Sequence, residues 1–399
     1  MESQAALLSD PMAVFAYLAA VIAFVFWLSG LPRLKTLFEV TPPVIYAYFV
    51  PTLSTTLGIT PQASPVYDWM GTYLLPFALL MLMITIDLGA IWKLGRTALL
   101  MLVAGTFGIV VGGPIVYMIF GGMLPPESWK GLAALSGSWI GGTANLLAIQ
   151  QSVGTPDSIM GPIIVVDTVV GYGWMGVLLF LSGWQGRFDR RIGARTEAIE
   201  ETNARLASLD MKRVPVDTRL VLMIVGLGFA GAVASVVAGA RMPVLRMFEQ
   251  PIVSNSTWAV LIVVTGGLLL SFTRISRLEE AGASRIGYAA LYMLLASIGA
   301  KADLAAVLDA PLFLAAGMLW MLIHIVILLI AARLLRAPLF FFATGSMANV
   351  GGAASAPIVA GVYHPAMAPV GLLMAVAGYV LGIYAGLLCA TLLSLVAGA

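Results

Sequence analysis

Gly137-Ser138-Trp139-Ile140-Gly141-Gly142-Thr143-Ala144-Asn145 lies in the middle of one apolar stretch of this sequence. Gly345-Ser346-Met347-Ala348-Asn349-Val350-Gly351-Gly352-Ala353-Ala354-Ser355 lies in the middle of another. Both stretches, 130–153 and 338–362, are long enough to cross a bilayer, which takes about 20 residues. The central glycines divide each into limbs of about 11 residues, reaching about 16 Å, or half the hydrocarbon core. Two architectures fit such a segment. It is either a crossing helix broken midway, or a re-entrant hairpin that turns at the glycines and leaves on the face it entered.

Composition sets the setting for that choice. Of 399 residues, 60% are hydrophobic and 10% charged, and the mean hydropathy is +0.99. Soluble domains carry about 25% charged residues to face water. One cysteine and a net charge of +2 exclude a disulfide scaffold and a nucleic-acid binder, and the apolar content excludes a disordered chain. The start, Met1-Glu2-Ser3-Gln4, lacks the basic region of a cleaved signal, so the first apolar run reads as a retained helix. The chain reads as an all-α, polytopic protein whose first partner is the lipid bilayer.

Ten further runs read as crossings: 12–29, 42–58, 69–86, 97–120, 159–183, 219–240, 252–273, 286–301, 311–332 and 366–395. The polar stretch 185–218, with Arg187, Arg190, Arg191, Arg195, Lys212 and Arg213, divides the chain in two. Basic loops stay on the cytoplasmic side. If the glycine-broken segments crossed fully, the loops with Arg33/Lys35 and Lys93/Arg96 would fall on the opposite side from 185–218. As hairpins, they bring those residues and Arg274, Arg277, Arg285, Arg333 and Arg336 to one face. Arg241, Arg246 and Lys301 remain on the other, with both termini. The expected division is repeat 1 over 1–184 (hairpin 130–157), a cytoplasmic linker over 185–218, and repeat 2 over 219–399 (hairpin 338–364).

The halves echo each other in order. Ile86-Asp87-Leu88 parallels Ala302-Asp303-Leu304, Gly141-Gly142 parallels Gly351-Gly352, and Gly171-Tyr172 parallels Gly378-Tyr379. Five crossings per half would set the second copy upside down. Inverted repeats with broken segments at matching places point to a site at the repeat interface. Unpaired backbone at a hairpin tip is tolerated only against protein, water or ligand.

The candidate ligands are therefore tip residues. Ser138, Thr143, Asn145, Ser346, Asn349 and Ser355 offer neutral oxygens, and Gly141, Gly142, Gly351 and Gly352 admit close backbone approach. Each second limb would point a helix N-terminus at an anion. The alternative is that these small residues only permit tight packing. Asp167, about 12 Å into an apolar helix, is an ionisable group where one is costly. With Thr143, Asn145 and Asn349 it forms the candidate Na⁺ set; its alternative is a purely structural carboxylate. Asp87 and Asp303 read as helix N-caps, with ion coordination second. Lys301 would neutralise Asp303 or meet an anionic solute. Gly226-Leu227-Gly228-Phe229-Ala230-Gly231 follows no strand and lies inside a membrane helix, so no nucleotide role is expected, and the Gly378/Gly382/Gly386 face reads as helix packing. No HExxH or CxxC accompanies His324 and His364, so no metalloenzyme is expected.

The run Leu74–Gly95, the tip Gly137–Ile149, Asp167-Thr168-Val169-Val170-Gly171 and Ala348-Asn349-Val350-Gly351-Gly352 resemble the YjcL-like bacterial membrane proteins, a family of unknown function. More widely, two five-helix halves with Gly-Gly loops are similar to the sodium-coupled glutamate and 2-hydroxycarboxylate symporters. That resemblance implies elevator-like, ion-coupled transport. The resulting expectation is a secondary transporter in the bacterial cytoplasmic membrane, a homodimer without cofactor or catalysis. It would move a small anionic or zwitterionic solute with Na⁺ or H⁺. A passive channel is the alternative, and an intramembrane enzyme a more distant one. Helices 69–120, 159–183, 286–332 and 366–395 would move with the hairpins against a scaffold of 12–58 and 219–273.

Overall fold

The computed structural model describes residues 6–40, 43–206, 217–247, 250–301, 310–364 and 367–398. In chain order its main elements are α1 (Pro11–Ser29), α2 (Pro43–Thr56), α3 (Pro65–Met83), α4 (Leu88–Lys93), α5 (Gly95–Phe120), α6 (Ser128–Gly141), α7 (Thr143–Val153) and α8 (Asp157–Leu181). The polar stretch supplies α9 (Gln185–Ile192) and α10 (Glu197–Leu206). The second half supplies α11 (Thr218–Ala240), α12 (Asn255–Ser271), α13 (Arg274–Ala281), α14 (Ala283–Lys301), α15 (Ala310–Leu335), α16 (Leu339–Val350), α17 (Gly352–Tyr363) and α18 (Ala368–Ala397). Among the described residues eight helices are long and apolar enough to cross a membrane alone. A ninth, α12 with α13, bends by 94° at its break.

The helix starts carry their own signals. Asp10 Oδ1 accepts from Ala13 N at 2.8 Å, Asp217 Oδ1 accepts from Leu220 N at 2.8 Å, and Ser254 forms a capping box with Thr257. Each satisfies amides that the first helical turn leaves open. One departure from an all-helical chain is a ribbon, β1 (Leu245–Met247) antiparallel to β2 (Gln250–Val253), in the α11–α12 connection.

Packing sorts the helices into two bodies. In the first, α1, α2, α3, α11, α12 and α14 pack on one another; in the second, α5 to α8 pack with α15 to α18. This corrects the expected division, which set 69–86 and 286–301 with the moving core. The cause is a set of glycine sockets. Cβ atoms at Gly228 and Gly231 would collide with Phe77 and Leu80, at Gly267 with Met83, and at Gly287 would crowd Met81. Every residue of Leu75–Met83 is buried as a result. On α14, Gly299 lies against the Tyr48 carbonyl of α2, and its own carbonyl accepts from Thr52 Oγ1 at 2.8 Å.

Both glycine-broken segments turn back on themselves. Thr155 Oγ1, past the end of α7, donates to Lys130 O at the start of α6 at 3.0 Å. Gly137 faces the backbone of Asn145 and the side chain of Ile149, contacts that a continuing helix would separate by many ångströms. In the second hairpin Phe340 and His364, near the two ends of α16–α17, are 6.5 Å apart between ring centroids. The bases lie at opposite ends of α8, which is 25 residues, about 37 Å. The first base meets α12, through Ser256 Oγ to Gln151 O at 3.1 Å and Thr257 Oγ1 to Ser152 O at 3.1 Å. The second meets the polar stretch: Asp189 Oδ1 accepts from Leu339 N at 2.8 Å, and Arg336 O accepts from Arg195 N at 2.8 Å. The 185–206 segment is therefore a clamp on the second hairpin as well as a connection.

Candidate functional site at the hairpin tips

The tips meet. Gly142 turns the first hairpin with φ 77° and Gly352 turns the second with φ 60°, a left-handed backbone that suits glycine. A Cβ on Gly352 would stand 3.9 Å from Gly142 Cα. Between the tips lies the ring of Tyr379 from α18, whose Cε1 is 3.3 Å from an ideal Cβ at Gly142 and 3.7 Å from one at Gly352. Its hydroxyl accepts from Ala353 N, in the first turn of α17, at 3.3 Å and pairs with Tyr288 OH at 2.7 Å.

A cavity of ≈ 390 Å³ opens here, lined by Gly142, Thr143, Ala144, Gly351, Gly352, Ala353, Tyr172 and Tyr379 of the second body and Pro43, Tyr288 and Tyr292 of the first. It therefore lies on the seam between the two bodies. The N-termini of α7 and α17 both face it. Among the described residues no Lys, Arg, Asp or Glu lines it, so its polar character comes from phenol hydroxyls and helix-end amides. Those amides, with the positive ends of two helix dipoles, favour an anionic group.

The remaining site candidates lie behind the tips, on two unlike sides. Ser138 donates to Asp167 Oδ2 at 2.9 Å, and this carboxylate is not among the residues that line the cavity. Asn145 is fully buried. Its Nδ2 donates to Tyr379 O at 3.2 Å, while Oδ1 has no partner. The amide is wedged between Gly141 and Gly382, where a Cβ on either would overlap it. Behind the second tip Asn349, Ser346 and His324 are engaged, while Thr344 Oγ1 on the same limb has no partner. Asn349 Nδ2 donates to Gly345 O at 2.9 Å and Leu102 O at 3.1 Å, and its Oδ1 accepts from Thr106 Oγ1 at 2.8 Å. Ser346 Oγ accepts from Trp174 Nε1 at 2.8 Å and lies 2.8 Å from His324 Nε2. His324 Nδ1 is 3.0 Å from Gly105 O. A carbonyl only accepts, so Nδ1 carries the proton, and Nε2 accepts from the Ser346 hydroxyl. The neutral chain is complete: Trp174 to Ser346 to His324 to Gly105. Ser346 and Asn349 thus brace the hairpin instead of facing the cavity. Ser355 is buried beside Gly351.

Asp87 caps α4, accepting from Ala90 N at 2.9 Å; Asp303 lies outside the described residues. Lys301 pairs with Asp157 across the seam at 3.2 Å. That pair borders a second seam cavity of ≈ 320 Å³, with Asp68, Gln150, Gln151 and Ser297. The tyrosines are what the sequence argument missed. Its signal was available: Gly171-Tyr172 and Gly378-Tyr379 match between the halves, and the matched residue that lines the cavity is the Tyr. Among the described residues no cluster of three or more His, Cys, Asp or Glu can hold a metal ion.

Fold and site together define a polytopic α-helical membrane protein whose candidate site lies between two broken-helix hairpins. The chain belongs to the family described as protein of unknown function (DUF819), which it matches over residues 16–396. It is 26% identical over 344 residues to a protein of Bacillus subtilis (strain 168) named "Uncharacterized membrane protein YjcL", covering 83% of this chain and 85% of that one.

Proposed function

We propose that this protein is an ion-coupled secondary active transporter of a small anionic or zwitterionic organic solute. The observation that carries this is the seam cavity, where two hairpins from opposite ends of the fold meet tip to tip. In this reading the halves are inverted repeats, and the second body, carrying both tips, slides against the first to expose the cavity alternately on either side. The solute's anionic group sits at the amides of Thr143 and Ala144, at the start of α7, with the Tyr379 hydroxyl that the Ala353 amide holds facing it. Coupling runs through Asp167, held by Ser138, and through the unpartnered Asn145 Oδ1, which together suit Na⁺ or a proton. Thr143, which lines the cavity, would add a further oxygen to the set.

Membrane placement follows the charges: cytoplasmic membrane, basic loops inside, both termini outside, with the first body as the dimer contact. The reading predicts saturable uptake of radiolabelled dicarboxylates or amino acids into proteoliposomes, driven by an inward Na⁺ or proton gradient and lost in Asp167→Asn. Solute movement that ignores both gradients and does not saturate would instead make the protein a passive channel.

A further inference from the structure

A third cavity, ≈ 750 Å³, lies away from the seam on the first body. It is lined by Asp217, Arg219, Leu220, Met223 and Leu227 at the start of α11, and by Arg274, Ile275, Arg277 and Leu278 of α13. Its position fixes its environment. α11 begins at Thr218, and α12 ends at Ser271 before α13 turns away by 94°. A helix turned at right angles to a spanning helix runs along the membrane surface, so the cavity sits where hydrocarbon gives way to headgroups.

Its two chemistries are layered to match. Leu220, Met223, Leu227, Ile275 and Leu278 supply an apolar floor that runs one to two turns down α11. Arg219, Arg274 and Arg277, all exposed, form the rim. Three guanidinium groups face one carboxylate, and Asp217 is already engaged as the cap of Leu220 N at 2.8 Å. Glu279, nearby on α13, is bound to Ser284 Oγ at 2.7 Å and Ser284 N at 3.0 Å. Among the described residues no carboxylate pairs with the three arginines. Guanidinium forks match phosphate geometry, and basic pockets beside spanning helices take anionic headgroups.

We infer that this cavity is a specific site for an anionic phospholipid, its phosphate held by Arg219, Arg274 and Arg277 and one acyl chain laid along Leu220, Met223 and Leu227. It ties the start of α11 to α13 and so stiffens the body against which the hairpins are proposed to move. The site is independent of the transport assignment.

The test is native mass spectrometry of the full chain, purified in detergent and incubated with equimolar phosphatidylglycerol and phosphatidylcholine. The wild type should retain phosphatidylglycerol at least tenfold over phosphatidylcholine. Arg219→Gln, Arg274→Gln and Arg277→Gln should each reduce that ratio, and Met223→Gln should lower retention of both lipids at this site. Each substitution is at or near the surface, and a monodisperse elution profile confirms folding. Equal retention of the two lipids by the wild type, or ratios unchanged in all three arginine variants, would overturn the site. A separate arm adds inorganic phosphate: if it displaces phosphatidylglycerol at equal concentration, the ligand is a free anion and the lipid assignment fails.

Discussion

The two hairpins share a motif and differ in what stands behind it. Behind the first tip are a carboxylate, Asp167, held by one serine, and a buried amide oxygen on Asn145 without a partner. Behind the second, Trp174, Ser346 and His324 form one chain of neutral bonds and Thr106 and Asn349 another, with only the neutral Thr344 hydroxyl left unpaired among the described residues of that limb. Buried polar groups left unpaired are costly, and complete networks are rigid. The difference teaches that matched sequence need not mean matched duty. Under the proposed function the first hairpin holds the spare capacity for a cation, whereas Ser346 and Asn349 of the second are spent on bracing their own limb.

The largest effect that this contrast predicts is at Asp167. Asp167→Asn keeps the shape and the bond from Ser138 but removes the charge. Gradient-driven uptake should fall by at least tenfold with little change in melting temperature. Uptake that still follows the gradient would dissolve the distinction between the hairpins.

Ser346→Ala is the counterpart on the second hairpin. It leaves Trp174 Nε1 and His324 Nε2 unpaired in the interior, each costing about 1–3 kcal/mol. Thermal unfolding should show a clear drop, whereas Ser138→Ala should unfold near the wild type and alter only the ion dependence. A third comparison uses glycine. Gly382→Ala thrusts a methyl into the Asn145 amide and should cost about 1–3 kcal/mol through overpacking. Gly352→Ala meets nothing closer than 3.7 Å and carries only its left-handed strain, about 1–2 kcal/mol. Denaturation in detergent should rank Gly382→Ala as the weaker fold. The smallest change is Lys301→Met. Its pair with Asp157 is partly exposed on both sides, so the stability loss should stay under about 1 kcal/mol. Any effect should fall on transport rate, because the pair spans the seam.

Much of this architecture was written in the chain. Among the described residues eight of the ten apolar runs form helices long enough to cross alone, because a bilayer-length apolar run declares itself without knowledge of its neighbours; 252–273 ends in the bent α12–α13 pair, and 42–58 yields only the 14-residue α2. The tips were legible because glycine pairs interrupt such runs. What stayed hidden depends on partners far apart in sequence. Asn145 and Asn349 look equivalent on paper; only the fold brings Thr106 to Asn349, 243 residues away, and leaves Asn145 Oδ1 bare. The cavity tyrosines come from helices that only packing brings together, and a tyrosine in a membrane protein ordinarily reads as an interfacial anchor. The assignment of 69–86 to the first body depended on which helices present glycine sockets to Phe77 and Leu80, which periodicity does not reveal.

The central claim is that the tip cavity is exposed alternately to the two sides. Thr143 lines it, and replacing buried Cys389 with Ala leaves Thr143→Cys as the single thiol in the chain. Labelling with a membrane-impermeant maleimide, in right-side-out and inside-out vesicles under opposed ion gradients, reads that exposure directly. The account predicts labelling from either side, with access from one side falling as access from the other rises. Labelling from one side only under every gradient, or from both sides together in constant proportion, would contradict it.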